Sequence, residues 1–336
     1  MDGRSPRRKT LILGRADIGR LMAPRDYVGP VEAAFVALAE GRATMPAPLH
    51  LPAEGGAFHA KGARLAWPDG RDFAAVKING NFPGNPARCG LPTIQGALVL
   101  SDARNGAVLA LMDSTEITRR RTAAATAIAL DRLALPKVDK YAVIGCGDLG
   151  LAQLEAALAY RRPKSVSAYD GDAEALARFV SRAKENLAVA VEAAASVAEA
   201  LRQATVVLTA TTATTPIVGR ATLAPGTFVA AVGADAPHKS EIAPEVMREA
   251  RIVVDAFEQC AAFGDLRHAI AAGVVKPTDV AASLGDVLLG RWPGRRTPED
   301  IVVFDSTGLA VQDVAAGVAI YDRALATGAG TALVLG

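Results

Sequence analysis

Apolar positions along this chain follow two different periods. Residues 31–40, Val-Glu-Ala-Ala-Phe-Val-Ala-Leu-Ala-Glu, repeat at helical spacing and stop at Gly41, which predicts an amphipathic helix. From Thr44 to about Met112 the apolar runs shorten, as at Phe73-Ala-Ala-Val76 and Ala97-Leu-Val-Leu100, and Pro and Gly recur between them. Asp102-Ala-Arg-Asn-Gly106 sets an Asn-Gly turn between Leu98–Leu100 and Val108–Met112, a hairpin signature. This part is expected to be mostly antiparallel sheet.

Beyond Thr118 the pattern alternates. Helical stretches are expected at Thr122–Leu133, Leu149–Tyr160, Ala173–Arg182 and Val197–Gln203. Between and after them come apolar β-type runs at Tyr141–Ile144, Val166–Tyr169, near Val189, and at Val206–Ala210, Phe228–Val232 and Ile252–Asp255. Continuous apolar runs of this length suit parallel strands covered on both faces. The expected fold class is therefore α/β, a doubly wound sheet over residues 118–306. It is inserted in a discontinuous α+β domain of residues 1–117 and 307–336, because the last amphipathic stretch, Val311–Ala326, can return to the first domain. No repeat of 20–50 residues is present.

Composition narrows the class. The chain has 336 residues, 51% hydrophobic, 21% charged and 5% aromatic, enough for two domains with ordinary cores. With 37 basic against 35 acidic residues the formal charge is +2. Neither a basic field for nucleic acid nor a base-stacking aromatic platform is available. No run approaches the ~18–20 apolar residues of a membrane span. The basic start, Met1 to Lys9, precedes only Leu11-Ile12-Leu13, which is too short for a secretory h-region and reads as a frayed terminus. Three widely spaced cysteines, Cys89, Cys146 and Cys260, suit a reducing cytoplasm.

Chemistry first becomes legible at Tyr141-Ala-Val-Ile-Gly145-Cys-Gly147-Asp-Leu-Gly150. A strand, then GxGxxG, then a helix is the context this motif requires. Gly145 makes the tight turn, Gly147 lets backbone approach a pyrophosphate, and Gly150 lets helix and strand pack closely. Asp148 and Leu149 open the helix, whose first N–H groups and dipole favour an anion. Asp170 follows the next strand, 20 residues after Gly150. A carboxylate there accepts from a ribose diol and repels a 2′-phosphate, so NAD is favoured over NADP. Cys146 within the turn reads as a small packed residue. The four histidines show no metal-ligand spacing.

Several stretches resemble one family. Lys77-Ile-Asn-Gly-Asn-Phe-Pro-Gly-Asn85, Gly90-Leu-Pro-Thr93, Asp113-Ser-Thr-Glu-Ile-Thr118 and Arg121-Thr-Ala-Ala-Ala stand in its order. So do Ile144-Gly-Cys-Gly147, Val232-Gly-Ala-Asp-Ala-Pro-His-Lys239, Glu241-Ile242 and Asp305-Ser-Thr-Gly308. Together, over about residues 10–330, they resemble the ornithine cyclodeaminase/μ-crystallin family. The resemblance implies a Rossmann-type domain within a split substrate and dimerisation domain, and a homodimer whose sheets join in a shared barrel. It also implies NAD(H)-linked redox chemistry at an amino-acid Cα through an imine, acting on a small amino-acid or imino-acid substrate.

The resemblance also suggests roles. Lys77 lies in an apolar run, where a charge is costly unless it is paired or used. The family pattern gives it the substrate carboxylate or a proton relay. Arg121 can clamp a carboxylate through parallel hydrogen bonds, whereas Arg119 and Arg120 read as solvated charges. Asp235, after a strand end, matches the aspartate that handles protons at the imine. Thr93, Thr209, Val232, Gly233, Ala234, Lys239 and Ser306 match positions near the dinucleotide.

Two departures bear on the substrate. Where ornithine cyclodeaminases carry an arginine for the α-carboxylate, the chain reads Pro46-Ala-Pro-Leu49-His50. Where they carry a glutamate for the distal ammonium, it reads Phe58-His59-Ala60-Lys61. His59 and Lys61 would attract an anion rather than an amine, which points to a neutral or acidic substrate side chain. The reading is an NAD(H)-dependent imine reductase or amino-acid dehydrogenase, with Lys77, Arg121 and Asp235 as its catalytic residues. Its alternatives are an ornithine or lysine cyclodeaminase using catalytic NAD, and a non-catalytic binder of small ligands.

Overall fold

A computed structural model describes residues 9–335; the basic segment Met1–Arg8 lies outside the described residues. In chain order the strands are β1 (Lys9–Leu13), β2 (Ala43–Thr44), β3 (Leu49–Ala53), β4 (Gly56–Ala66), β5 (Asp72–Asn81), β6 (Ile94–Asp102), β7 (Val108–Asp113) and β8 (Lys140–Ile144). They continue with β9 (Ser165–Tyr169), β10 (Val191–Ala193), β11 (Val206–Thr209), β12 (Phe228–Ala231), β13 (Arg251–Val254), β14 (Ala282–Ser283), β15 (Val302–Asp305) and β16 (Thr331–Val334). The chain divides into two compact units. One comprises the chain up to Arg121 together with Leu309 onward; the other is Thr122–Gly308.

The first unit carries one sheet in the order β16-β1-β7-β6-β5-β4-β2, with β3 also paired to β4. From β2 to β7 every pairing is antiparallel. The Asn-Gly hairpin is present, with Gly106 at φ +75° and the Asp102 carboxylate accepting from the backbone N–H of Arg104. The helix Ala310–Thr327, buried from Ala310 through Val318, packs on β4, β5 and β6. Gly317 allows the approach: a Cβ there would stand 2.9 Å from Leu98 Cδ2.

Residues 58–64 belong to the eleven-residue strand β4, within the stretch expected to be antiparallel sheet. His59, Lys61 and Ala63 share the inner face with Leu65, while β3 and β5 pair the backbone on both sides. Two local expectations differ from the structure. The helix expected from Thr122 begins at Ser114. Asp113 Oδ1 accepts from the N–H groups of Thr115 and Glu116 and caps it. Arg119 and Arg120 are not solvated charges: both hold Glu116, at 2.7 and 2.9 Å.

The second unit is an eight-stranded, all-parallel sheet ordered β10-β9-β8-β11-β12-β15-β13-β14. Its central strands, β11, β12 and β15, are buried along their whole length, as their unbroken apolar runs require. Strand order reverses between β8 and β11. Ligands of open α/β sheets bind beyond the carboxyl ends of the strands at such a switch point. Among the described residues, no helix is long and apolar enough to cross a membrane.

Candidate active site

In the first unit the pleat of β5 sets the site. Phe73, Ala75 and Lys77 point inward while Val76 and Ile78 point out. Lys77, only 4% exposed, pairs its ammonium with Asp313 Oδ2 at 2.8 Å and donates to Thr118 Oγ1 at 3.1 Å. Arg121, equally buried, donates from Nε to Asp313 Oδ1 and from Nη1 to Gln312 Oε1, both at 2.9 Å. Gln312 Oε1 also accepts from the Leu309 N–H at the start of the same helix. One buried carboxylate thus serves two buried cations, and the cluster keeps one net positive charge.

That arrangement fixes the titration of the groups. Burial pushes the Lys77 ammonium down to about 8; Asp313 opposes the shift, while Arg121 and Lys61 add to it. Burial alone would raise the Asp313 carboxyl, but the Arg121 and Lys77 charges outweigh it and hold the group below its ordinary value. Asp313 and Gln312 were absent from the sequence-based candidates. The available signal was an ionisable residue between Val311 and Val314, in the apolar half of an amphipathic helix.

Lys61 and His59 follow on the neighbouring strand. Lys61 stands directly opposite Lys77 in the β4–β5 register, and His59 opposite Asn79. Both are half-buried. The first unit therefore brings Lys77, Arg121, Lys61 and His59 to one face of its sheet. Thr93 also belongs to this unit, in the segment entering β6, where its carbonyl accepts from the Phe82 N–H.

In the second unit the glycine turn closes the end of β8. Gly145 has φ +98°, and a Cβ there would stand 2.5 Å from the Ala210 carbonyl oxygen at the end of β11. A Cβ on Gly150 would collide with the Gly145 carbonyl oxygen, whereas Gly147 faces open space. This is the cradle a pyrophosphate needs: two glycines required by packing and one leaving room for a ligand. The helix Asp148–Tyr160 starts here, so the N–H groups of Asp148 and Leu149 have no intrahelical acceptor. The Asp148 side chain turns away, to Arg182 at 2.7 Å. Asp170 accepts from the Cys146 N–H at 2.7 Å and from the Asp172 N–H at 2.9 Å. It thereby fixes the turn to the end of β9. Cys146 is buried, and burial followed by the Asp170 charge pushes its thiol up to about 12, as befits a packed residue.

Buried acids brace the other strand ends. Glu241 accepts from Thr209 Oγ1 (2.6 Å), the Thr211 N–H (2.7 Å) and the Gly233 N–H (2.8 Å), tying the end of β11 to the segment after β12. Burial raises its pKa. A Cβ on Gly233 would collide with this carboxylate. Asp255 accepts from Ser306 Oγ and from the N–H groups of Thr307 and Gly308. The hydroxyls of Thr209 and Ser306 are thus directed into the protein. Val232 and Ala234 are buried beside Gly233. Asp235 is exposed and pairs with Lys239 Nζ at 2.6 Å, which also donates to the Gly233 carbonyl.

Residues 8–328 match the ornithine cyclodeaminase/mu-crystallin family. The chain belongs to this family. Alanine dehydrogenase of Archaeoglobus fulgidus is 36% identical over 96% of this chain and 98% of that protein. A solved archaeal alanine dehydrogenase dimer with bound NAD has a TM-score of 0.91 at 36% identity, covering 98% and 100% of the two chains. Thermococcus litoralis Δ1-pyrroline-2-carboxylate reductase, in complex with NADH and L-proline, has a TM-score of 0.91 at 29% identity, covering 96% and 99%. Iminosuccinate reductase of Paracoccus denitrificans in complex with NAD+ has a TM-score of 0.88 at 28% identity, covering 97% and 99%.

Two substitutions test this geometry. Asp313→Asn leaves two buried cations without their carboxylate and should cost about 3–5 kcal/mol of stability, read by denaturant unfolding. Gly150→Ala should cost about 1–3 kcal/mol by forcing the helix Asp148–Tyr160 off β8, and should weaken NADH binding in a fluorescence titration.

Proposed function

We propose that this chain is an NAD(H)-dependent oxidoreductase that moves hydride between nicotinamide and the Cα of a small amino acid and its imino acid. The observation that carries this reading is the buried Lys77–Arg121 pair sharing Asp313. A substrate α-carboxylate would balance its remaining positive charge and accept charge-assisted hydrogen bonds from both cations. The dinucleotide would be held by Gly145, Gly147 and Gly150, the N–H groups of Asp148 and Leu149, and Asp170, which favours NAD over NADP; Thr93 and residues 232–234 would contribute. When bound, the nicotinamide supplies or accepts the hydride. Lys77 and Arg121 fix the carboxylate and so orient the Cα, and Asp235 carries the proton exchanged with the substrate nitrogen. Three free thiols fit a cytoplasmic setting.

We also propose a homodimer through the outer face of the first sheet. Ile12, Leu49, Leu51, Phe58, Val76 and Ile78 share that face in the strand registers and are all exposed. A patch of this kind marks an interaction surface. Val76→Lys with Ile78→Lys should convert a dimer to a monomer in light scattering coupled to gel filtration; a wild-type monomer would remove the proposal.

The functional test is a panel of 2-oxo acids with ammonium, and of cyclic imino acids, assayed with NADH and with NADPH. Lys77→Ala should abolish turnover while NADH still binds. Because Lys77 loses its proton near pH 8, its grip on a carboxylate should weaken as pH rises through that value, and kcat/KM should fall. Lys77→Arg, which stays charged, should remove that alkaline limb. Full activity in Lys77→Ala would sink the assignment. Formation of proline or pipecolate from ornithine or lysine with catalytic NAD+ would replace it by the cyclodeaminase reading.

A further inference from the structure

The two segments in which the sequence leaves the cyclodeaminase pattern are neighbours in the sheet. β3 and β4 pair antiparallel with His50 directly opposite His59. The two imidazoles lie with centroids 4.7 Å apart and Nδ1 atoms 3.4 Å apart, so one ring carries the proton that the other accepts. Two residues along β4, Lys61 stands opposite Lys77, close enough for its charge to lower the Lys77 pKa. Strand alternation puts His59 and Lys61 on the face that carries Lys77. The histidine row and the lysine row are one strand repeat apart, roughly 7 Å.

Charge on this face is one-sided. Lys61, Lys77 and Arg121 are cations, the histidine pair adds ring nitrogens for hydrogen bonding, and Asp313 is already shared by Lys77 and Arg121. Glu54 sits on the exposed turn between β3 and β4, and Asp72, at the far end of β5, holds Arg64. A substrate side chain ending in an ammonium would meet the like charge of Lys61. A side chain ending in a carboxylate would meet hydrogen-bond donors there.

We propose that His50, His59 and Lys61 form a second anion subsite that reads the side-chain carboxylate of a dicarboxylic 2-imino acid, or of the matching acidic amino acid, while Lys77 and Arg121 hold its α-carboxylate. The proposal rests on the oxidoreductase reading above and adds the substrate class.

The test compares oxaloacetate and 2-oxoglutarate with pyruvate and 2-oxobutyrate, each with ammonium and NADH. Amino-acid products are quantified by chromatography, and ammonium-free controls remove simple keto-acid reduction. The dicarboxylic substrates should lead in kcat/KM. In His59→Gln/Lys61→Gln the ratio of dicarboxylic to monocarboxylic kcat/KM should drop about tenfold or more, the scale of a lost charge-assisted contact. Lys61→Arg should retain most of the ratio. Monocarboxylic preference in the wild type, or an unchanged ratio in the double variant, overturns the subsite and leaves the oxidoreductase reading standing. If neither these substrates nor the cyclic imino acids above are reduced, that reading fails instead. Calorimetric titration of the NAD+-saturated protein with succinate then decides the subsite: binding weakened in the double variant supports it, and binding absent or unaltered rejects it.

Discussion

One carboxylate organises the first unit. Asp313 is buried in the first turn of the helix Ala310–Thr327 and ion-pairs with both Lys77 and Arg121. Burying a lone ammonium or guanidinium is too costly to persist, and a single carboxylate offsets only part of the cost of two. The consequence is an excess positive charge held in a dry, rigid place. The sheet contributes Lys77, the helix Ser114–Leu133 contributes Arg121, and the helix near the end of the chain contributes Asp313 with Gln312. The discontinuity of this unit therefore has a chemical purpose: the carboxylate that makes the cations tolerable comes from the far end of the sequence.

The second unit meets a different constraint, that of holding loop backbone still at the ends of parallel strands. Glycines answer part of it, since Gly145, Gly150 and Gly233 occupy positions where a Cβ would strike a carbonyl or a carboxylate. Buried acids answer the rest. Glu241 and Asp255 accept backbone N–H groups just past β11, β12 and β15, while Asp265 and Asp305 accept those of Glu241, Ile242 and Leu266. Their proximity has a price in ionisation: burial and the neighbouring Glu241 charge push Asp265 up to about 7, and burial with the Asp265 charge lifts Asp305 well above the ordinary carboxylate range. Several residues that resemble ligand contacts in sequence, Thr209 and Ser306 among them, direct their hydroxyls to these acids. These hydrogen bonds shape the loops.

A third constraint lies in strand β4. β4 turns His59 and Lys61 inward with Ala63 and Leu65, and Phe58 and Arg64 outward, and only its pairing with β3 and β5 defines these faces. His59 alone is an isolated histidine. Opposite His50 and beside Lys61, it becomes part of a continuous row of donors next to the buried cations.

What the sequence determined by itself was what local spacing can encode. The parallel strands β8, β9, β11, β12 and β13 appear as apolar runs, the hairpin as Asn105-Gly106, and the dinucleotide turn as GxGxxG between strand and helix, because each depends on residues within a few positions of one another. Lys77 and Arg121 were legible through family motifs and through the cost of a lysine in an apolar run. Tertiary structure alone decided their partner, since Asp313 lies 192 residues beyond Arg121 and nothing local links the two. It also decided the pairing of His50 with His59, because register between strands is fixed by the whole sheet and not by either strand. The inward face of β4 is likewise defined only by the neighbouring strands that supply the second dimension.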